Sequence, residues 1–441
     1  MMKVRSGALV LLCLVVFSVQ LERLCGQHVD DAVCVVDDAD AANADVIQVL
    51  SNLVKTKYFR TFKVDYLREC PFWESDFQCG IDGGGACHVS ECDDAEIPLI
   101  FQECKDVPAS PWGRVIPEAG VHGWADGDNG VWCDCEGSDA VYIDLLKNPD
   151  SFTGYSGQDA TRVWMALYNE NCFGDTTSIE EQCLENRVFY RLISSFHGIT
   201  TMSICKDGER LDMFKWRLAM FPDRLKNIYF TYLVLINAAT KAQETISAMD
   251  MSVGTAEDVK VKEFIDEFYA IDGLAELAGA FNFDDIKSIS GLEQEYMHKW
   301  QNISRVVDCT GCEKCKIHAK LTLLGIGTGL KILFSDDSTD LSLKHNEVIA
   351  LFNTIYKYSE SVALIHDWLD FLVSQEEETE STQLETDPVI EELGAADGYG
   401  PAPDSLVIPV MLGGMMLTGV LIAGLKHAGR RGRGRGEKKS Q

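Results

Sequence analysis

Cys309-Thr310-Gly311-Cys312-Glu313-Lys314-Cys315 sets three thiols at spacings of three, a pattern suited to a reversible dithiol or to a metal claw. Residues three apart on a helix share a face, with Cβ atoms roughly 5 to 6 Å apart. Cys312 and Cys315 can therefore form a disulfide with modest adjustment. The metal alternative is a structural zinc or iron–sulfur site, and it needs a fourth ligand. Only His318 follows closely enough to serve, and the Cys-Pro ending usual in iron–sulfur runs is absent. Downstream, Ile317, Leu321 and Leu324 recur at helical spacing, and Gly325, Gly327 and Gly329 follow. This predicts a helix that opens at the thiols and then closely approaches something flat or bulky. A helix N-terminus also favours thiolate over thiol.

Compartment decides between metal and disulfide. Lys3 and Arg5 precede the apolar run Ala8 to Val19, the layout of a secretory signal over residues 1–24. Residues 405–425 form an apolar stretch about as long as the roughly 20 residues that span a bilayer core. A basic tail follows at 426–441, containing Arg430, Arg431, Arg433 and Arg435, and its charge places it in the cytosol. The ending Lys438-Lys439-Ser440-Gln441 resembles a dilysine retrieval signal of endoplasmic reticulum membrane proteins. The expectation is a single-pass protein with its body in an oxidising lumen, where cysteines form disulfides rather than hold metal; loss of the signal takes Cys13 and leaves fifteen of the 16 cysteines, so at least one is unpaired or intermolecular. The formal charge of −30 argues against a nucleic-acid partner.

The elements that position the thiols read as helices. Val46, Val49, Leu50, Leu53 and Val54 share one face of an opening helix. Tyr58 to Cys104 is irregular and rich in Pro, Gly and acidic residues, and reads as a loop held by disulfides. Helical patterns then run over Thr161 to Tyr168, Glu185 to His197, Asp223 to Ala239, Val259 to Tyr269, Leu292 to Val307, the stretch after Cys315, and Asn346 to Leu372. This predicts an all-α fold, a single helical-bundle domain over 25–375. An acidic, solvated linker at 376–404 would hold it off the membrane. Asn302-Ile303-Ser304 is a glycosylation sequon, which would place Asn302 at the surface.

Several stretches in order, from Tyr58 to Phe334, together resemble the endoplasmic reticulum oxidoreductin family. They include Cys70-Pro71-Phe72-Trp73, Glu170-Asn171-Cys172-Phe173, Phe189 to Ser194, Arg224-Leu225-Lys226-Asn227, and Asn302 to Cys315. The resemblance implies a thiol oxidase holding FAD beside an inner redox pair, Cys312 and Cys315. An outer pair would take electrons from protein disulfide isomerase, and oxygen would leave as hydrogen peroxide. By position, the resemblance assigns Thr153, Trp164, Ser194, His197 and Arg224 to FAD, and it pairs Cys70 with Cys309 and Cys172 with Cys183. Cys79 sits at the family distance from the Cys-Pro-Phe-Trp stretch, which favours Cys79 with Cys87 as the outer pair. The alternative is Cys87 with Cys92. Cys104 resembles a position that restrains the outer pair. Ser151 and Asn237 stand where the family usually offers arginines to FAD, so the competing expectation is a flavin-free, disulfide-rich binding protein on the same fold.

Overall fold

The computed structural model describes residues 36–64, 70, 72, 88–102, 141–148, 157–172, 184–202, 218, 221, 223–280, 283–287, 292–335 and 341–385. Signal, membrane stretch and basic tail lie outside them. The chain divides into two compact units, Met1–Gln383 and Leu384–Gln441.

The body opens with α1 (Val36–Leu53) and the short α2 (Lys57–Arg60). The strand β1 (Thr61–Val64) follows, then a 3₁₀ turn and the short α3 (Leu99–Gln102). Next come β2 (Val141–Asp144), α4 (Gly157–Asn171) and α5 (Leu184–Met202). The centre holds α6 (Asp223–Lys241), α7 (Gln243–Ala248), α8 (Asp258–Tyr269) and α9 (Leu274–Gly279). The chain ends with α10 (Asp284–Lys287), α11 (Leu292–Asp308), α12 (Glu313–Phe334) and α13 (His345–Glu385).

Every long helix anticipated from periodicity is present, but the all-α expectation needs one correction. β1 and β2 pair antiparallel, with Thr61 opposite Asp144 and Val64 opposite Val141. The pairing links segments some eighty residues apart in sequence, so no local turn signal announces it. A second difference concerns the acidic segment. α13 continues to Glu385, ten residues into the stretch read as linker, since Glu, Gln and Leu all sustain a helix well.

α12 is the pillar of the fold. From Cys315 to Phe334 almost every residue is buried, and each large apolar side chain so placed stabilises the body by roughly 1.5 to 3 kcal/mol. By length and composition this helix also passes for a membrane span, yet 94% of its most apolar window is covered by the rest of the body. Its glycines are contact points. A Cβ on Gly325 would run into Thr354 and the Ala350 carbonyl of α13, and one on Gly327 into the flat Trp300 indole of α11. At its far end Lys331 donates to both Glu347 carboxylate oxygens (2.8 and 3.0 Å) and to Ser342 O (2.9 Å).

Asparagines tie the outlying elements to α13. Asn353 donates to Phe59 O (2.9 Å) and Asn43 to Ser359 O (3.1 Å). Asn346 both accepts from Lys63 N (3.1 Å) and donates to Lys63 O (3.0 Å), pairing with β1 as a second strand would.

Candidate functional site

Cys312 is the N-cap of α12, and its sulfur accepts from the Cys315 backbone N–H at 3.4 Å. Neither cysteine is in a disulfide, and the two are 3% and 0% exposed. The Cys312 pKa lies below the ordinary thiol value. A hydrogen bond from the Cys315 side chain contributes most; burial opposes it, and the backbone N–H groups of Cys315 and Lys314 and the Lys314 charge add to it. The orphan N–H groups of a helix start thus do for sulfur what they do for phosphate. Three residues upstream, Cys309 is joined to Cys70 by a disulfide with an S–S length of 2.09 Å and Cα atoms 4.5 Å apart. His318 is not poised as a metal ligand: its Nε2 meets the Asn148 carbonyl (2.9 Å) and its Nδ1 meets Lys357 Nζ (3.3 Å). Among the described residues no group of three or more His, Cys, Asp or Glu is arranged to hold a metal.

A second cluster forms where α4, α5 and α6 pack. Trp164 of α4 stacks on His197 of α5, with ring centroids 3.9 Å apart and planes 14° from parallel. Arg224 of α6 places Nη2 2.9 Å from His197 Nδ1. A guanidinium only donates, so Nδ1 accepts and the ring is held with its lone pair there. Ser194 is buried on the same helix as His197 and shares a hydrogen bond with Tyr168, whose pKa is pushed up chiefly by burial. Tyr168 was missed in the sequence, although its position four residues after Trp164 puts it on the same face of α4. Asn227 was missed too. It lies one turn beyond Arg224, is 3% exposed, and its Nδ2 has no hydrogen-bond partner among the described residues. Planar aromatics, a guanidinium and an unspent amide donor suit a ligand with flat rings and anionic oxygens.

The other sequence candidates fall in three groups. Cys79, Cys87, Cys104, Thr153, Cys183 and Ser151 lie outside the described residues. Cys92 is a half-buried thiol fixed to the sheet, its N–H donating to Tyr142 O (2.8 Å). Its pKa is raised, mainly by burial and then by Asp144. Cys172 is a buried free thiol whose pKa burial raises further. Asn302 sits on α11, only partly exposed. Asn237 turns to α9 and donates to Ala278 O at 2.9 Å, a structural use of a position expected to face the ligand.

A sequence profile described as Endoplasmic Reticulum Oxidoreductin 1 (ERO1) matches residues 45–365. Endoplasmic reticulum oxidoreductin-2 of Arabidopsis thaliana is 34% identical over 372 residues, covering 77% of this chain and 78% of that protein. The human ERO1-like protein alpha is 29% identical, covering 78% and 90%. Among solved structures, Ero1p, described as a source of disulfide bonds for oxidative protein folding in the cell, superposes with a TM-score of 0.55 at 26% identity. That match covers 79% of this chain and 99% of Ero1p. With a dithiol capping α12 and the profile covering residues 45–365, the chain belongs to the endoplasmic reticulum oxidoreductin family.

Proposed function

We propose that this oxidoreductase is an FAD-dependent thiol oxidase, anchored in the endoplasmic reticulum membrane, that reoxidises protein disulfide isomerase. The observation that carries the reading is the dithiol at the start of α12, where Cys312 caps the helix and its pKa lies below the ordinary thiol value. A thiolate of the reduced isomerase attacks the outer disulfide, with Cys79 and Cys87 the favoured pair. A second exchange carries both electrons inward, leaving the outer pair oxidised and the inner pair reduced. Cys312 suits this step because a thiol that holds negative charge readily also departs readily as a leaving group. Cys70–Cys309 keeps the incoming chain beside the inner pair.

Trp164, Ser194, His197 and Arg224, with Asn227 added, are the described residues that would hold FAD. Rings would pack on its planar systems, and the guanidinium and amide would donate to its oxygens. When bound, FAD supplies an acceptor for the two electrons of the inner dithiol and passes them to oxygen. Net, two thiols and one O₂ give one disulfide and one hydrogen peroxide. The body would lie in the lumen, with Asn302 as a glycosylation acceptor and residues 405–425 as the anchor. Full-length protein given reduced isomerase should consume oxygen and release equimolar peroxide. Flavin-free protein that binds the isomerase without consuming oxygen would instead favour the binding-protein alternative, to which the committed side chain of Asn237 lends support.

A further inference from the structure

Five residues outside the redox pair form a connected set that the proposed mechanism does not use. Asn148, fully buried just past β2, grips the extended chain at Ser90 from both sides. Its Oδ1 accepts from Ser90 N (2.9 Å) and its Nδ2 donates to Ser90 O (2.8 Å). The same Nδ2 donates to Asp144 O (2.9 Å), which fixes the amide orientation. The Asn148 carbonyl faces His318 Nε2 at 2.9 Å, and Lys357 of α13 faces the other ring nitrogen at 3.3 Å. A carbonyl can only accept and an ammonium only donate, so the ring is the neutral tautomer with its proton on Nε2. His318 lies one helical turn beyond Cys315, and Ser90 stands two residues before Cys92.

We infer that His318 is a positioning residue: through Asn148 it locks the Ser90–Cys92 root of the outer-cysteine segment to the helix that carries the inner pair. The disulfide Cys70–Cys309 anchors the chain three residues before Cys312, and the His318–Asn148–Ser90 bridge anchors it three residues after Cys315. The described ends of the segment that carries Cys79 and Cys87 are thus tied to residues on either side of Cys312 and Cys315, Cys70 by its disulfide to Cys309 and Ser90 through Asn148 to His318. One tether is covalent. The other is a set of hydrogen bonds, whose loss would release the Ser90–Cys92 root without touching the inner chemistry.

This inference rests on the thiol-oxidase reading, and its test separates the two. Hydrogen exchange is measured on full-length H318L and H318Q, alongside oxygen uptake with reduced isomerase and with dithiothreitol, a small dithiol that can reach the inner pair directly. H318L should speed exchange of the Ser90 and Cys92 amides about tenfold, the scale of one buried hydrogen bond, while the 313–334 amides stay protected. Uptake with isomerase should fall about tenfold and uptake with dithiothreitol by less than twofold. H318Q, whose amide N–H replaces Nε2–H, should recover both. Unchanged exchange at 90–92 in H318L, or equal losses with both dithiols, overturns the inference. Should H318L not fold, K357M, which releases the other side of the ring, carries the same exchange test with a smaller, roughly threefold, increase. If the wild type takes up no oxygen, the oxidase reading fails and the exchange result alone decides whether the bridge exists.

Discussion

Cys312 and Cys92 are both free thiols, yet they stand in opposite electrostatic settings. Cys312 is 3% exposed and its pKa is lowered; Cys92 is the more accessible and its pKa is raised. Accessibility alone would rank them the wrong way round. At the start of α12, a neighbouring thiol and two backbone N–H groups point at the sulfur and outweigh burial. Beside β2, Cys92 has spent its backbone N–H on Tyr142 O and faces the Asp144 carboxylate. What sets the two thiols apart is the donors and charges aimed at them.

The sharpest way to break the comparison is to remove Cys312. Cys312→Ser can still cap the helix, so the protein should fold with an unchanged melting profile while oxygen uptake falls about a thousandfold or more. The far end of α12 shows the alternative way to bury charge, a direct partner. Lys331→Met would leave the Glu347 carboxylate buried without its cation, and chemical denaturation should register a loss of about 3 to 5 kcal/mol. Lys331→Met combined with Glu347→Leu should recover much of it. Between those ends, Gly325→Ala would press a methyl against Thr354 and the Ala350 carbonyl. It should cost about 1 to 3 kcal/mol, whereas Gly279→Ala, with open space around it, should not destabilise.

Smallest, but most specific, is the pH signature. Site-resolved alkylation of the reduced protein should show a pH midpoint for Cys312 below the ordinary thiol value of about 8.5, and one for Cys92 above it. The sign for stability follows. The lowered folded-state pKa of Cys312 stabilises the fold above the unfolded thiol pKa, a contribution lost as pH falls through the folded value. The raised pKa of Cys172 works the other way, present below the unfolded value and lost as pH rises. Matching midpoints for Cys312 and Cys92 would erase the contrast.

The helices were legible because their apolar residues repeat every three to four positions, and the close pair of thiols at the start of α12 because Cys312 and Cys315 stand three apart at the head of such a pattern. The glycines of α12 also announced a close approach, and Trp300 supplies the flat surface. What stayed hidden depends on contacts distant in sequence. Thr61 to Val64 is too short to declare itself a strand until Val141 to Asp144 arrives beside it. In sequence His318 stood out only as a possible metal ligand, and only the fold shows that its hydrogen bond to Asn148, and that of Asn148 to Ser90, join the chain at Ser90 to α12. Asn237, which the resemblance placed among the FAD positions, donates to Ala278 O, a partner no spacing rule identifies.

The most direct test of the account is the visible spectrum of the purified protein under nitrogen, recorded as reduced protein disulfide isomerase is added to wild type and to Cys312→Ser. The account predicts flavin absorbance in both, bleaching in the wild type alone, and full recovery on admitting air. A flavin that bleaches equally in Cys312→Ser, or a protein with no flavin absorbance, would contradict it.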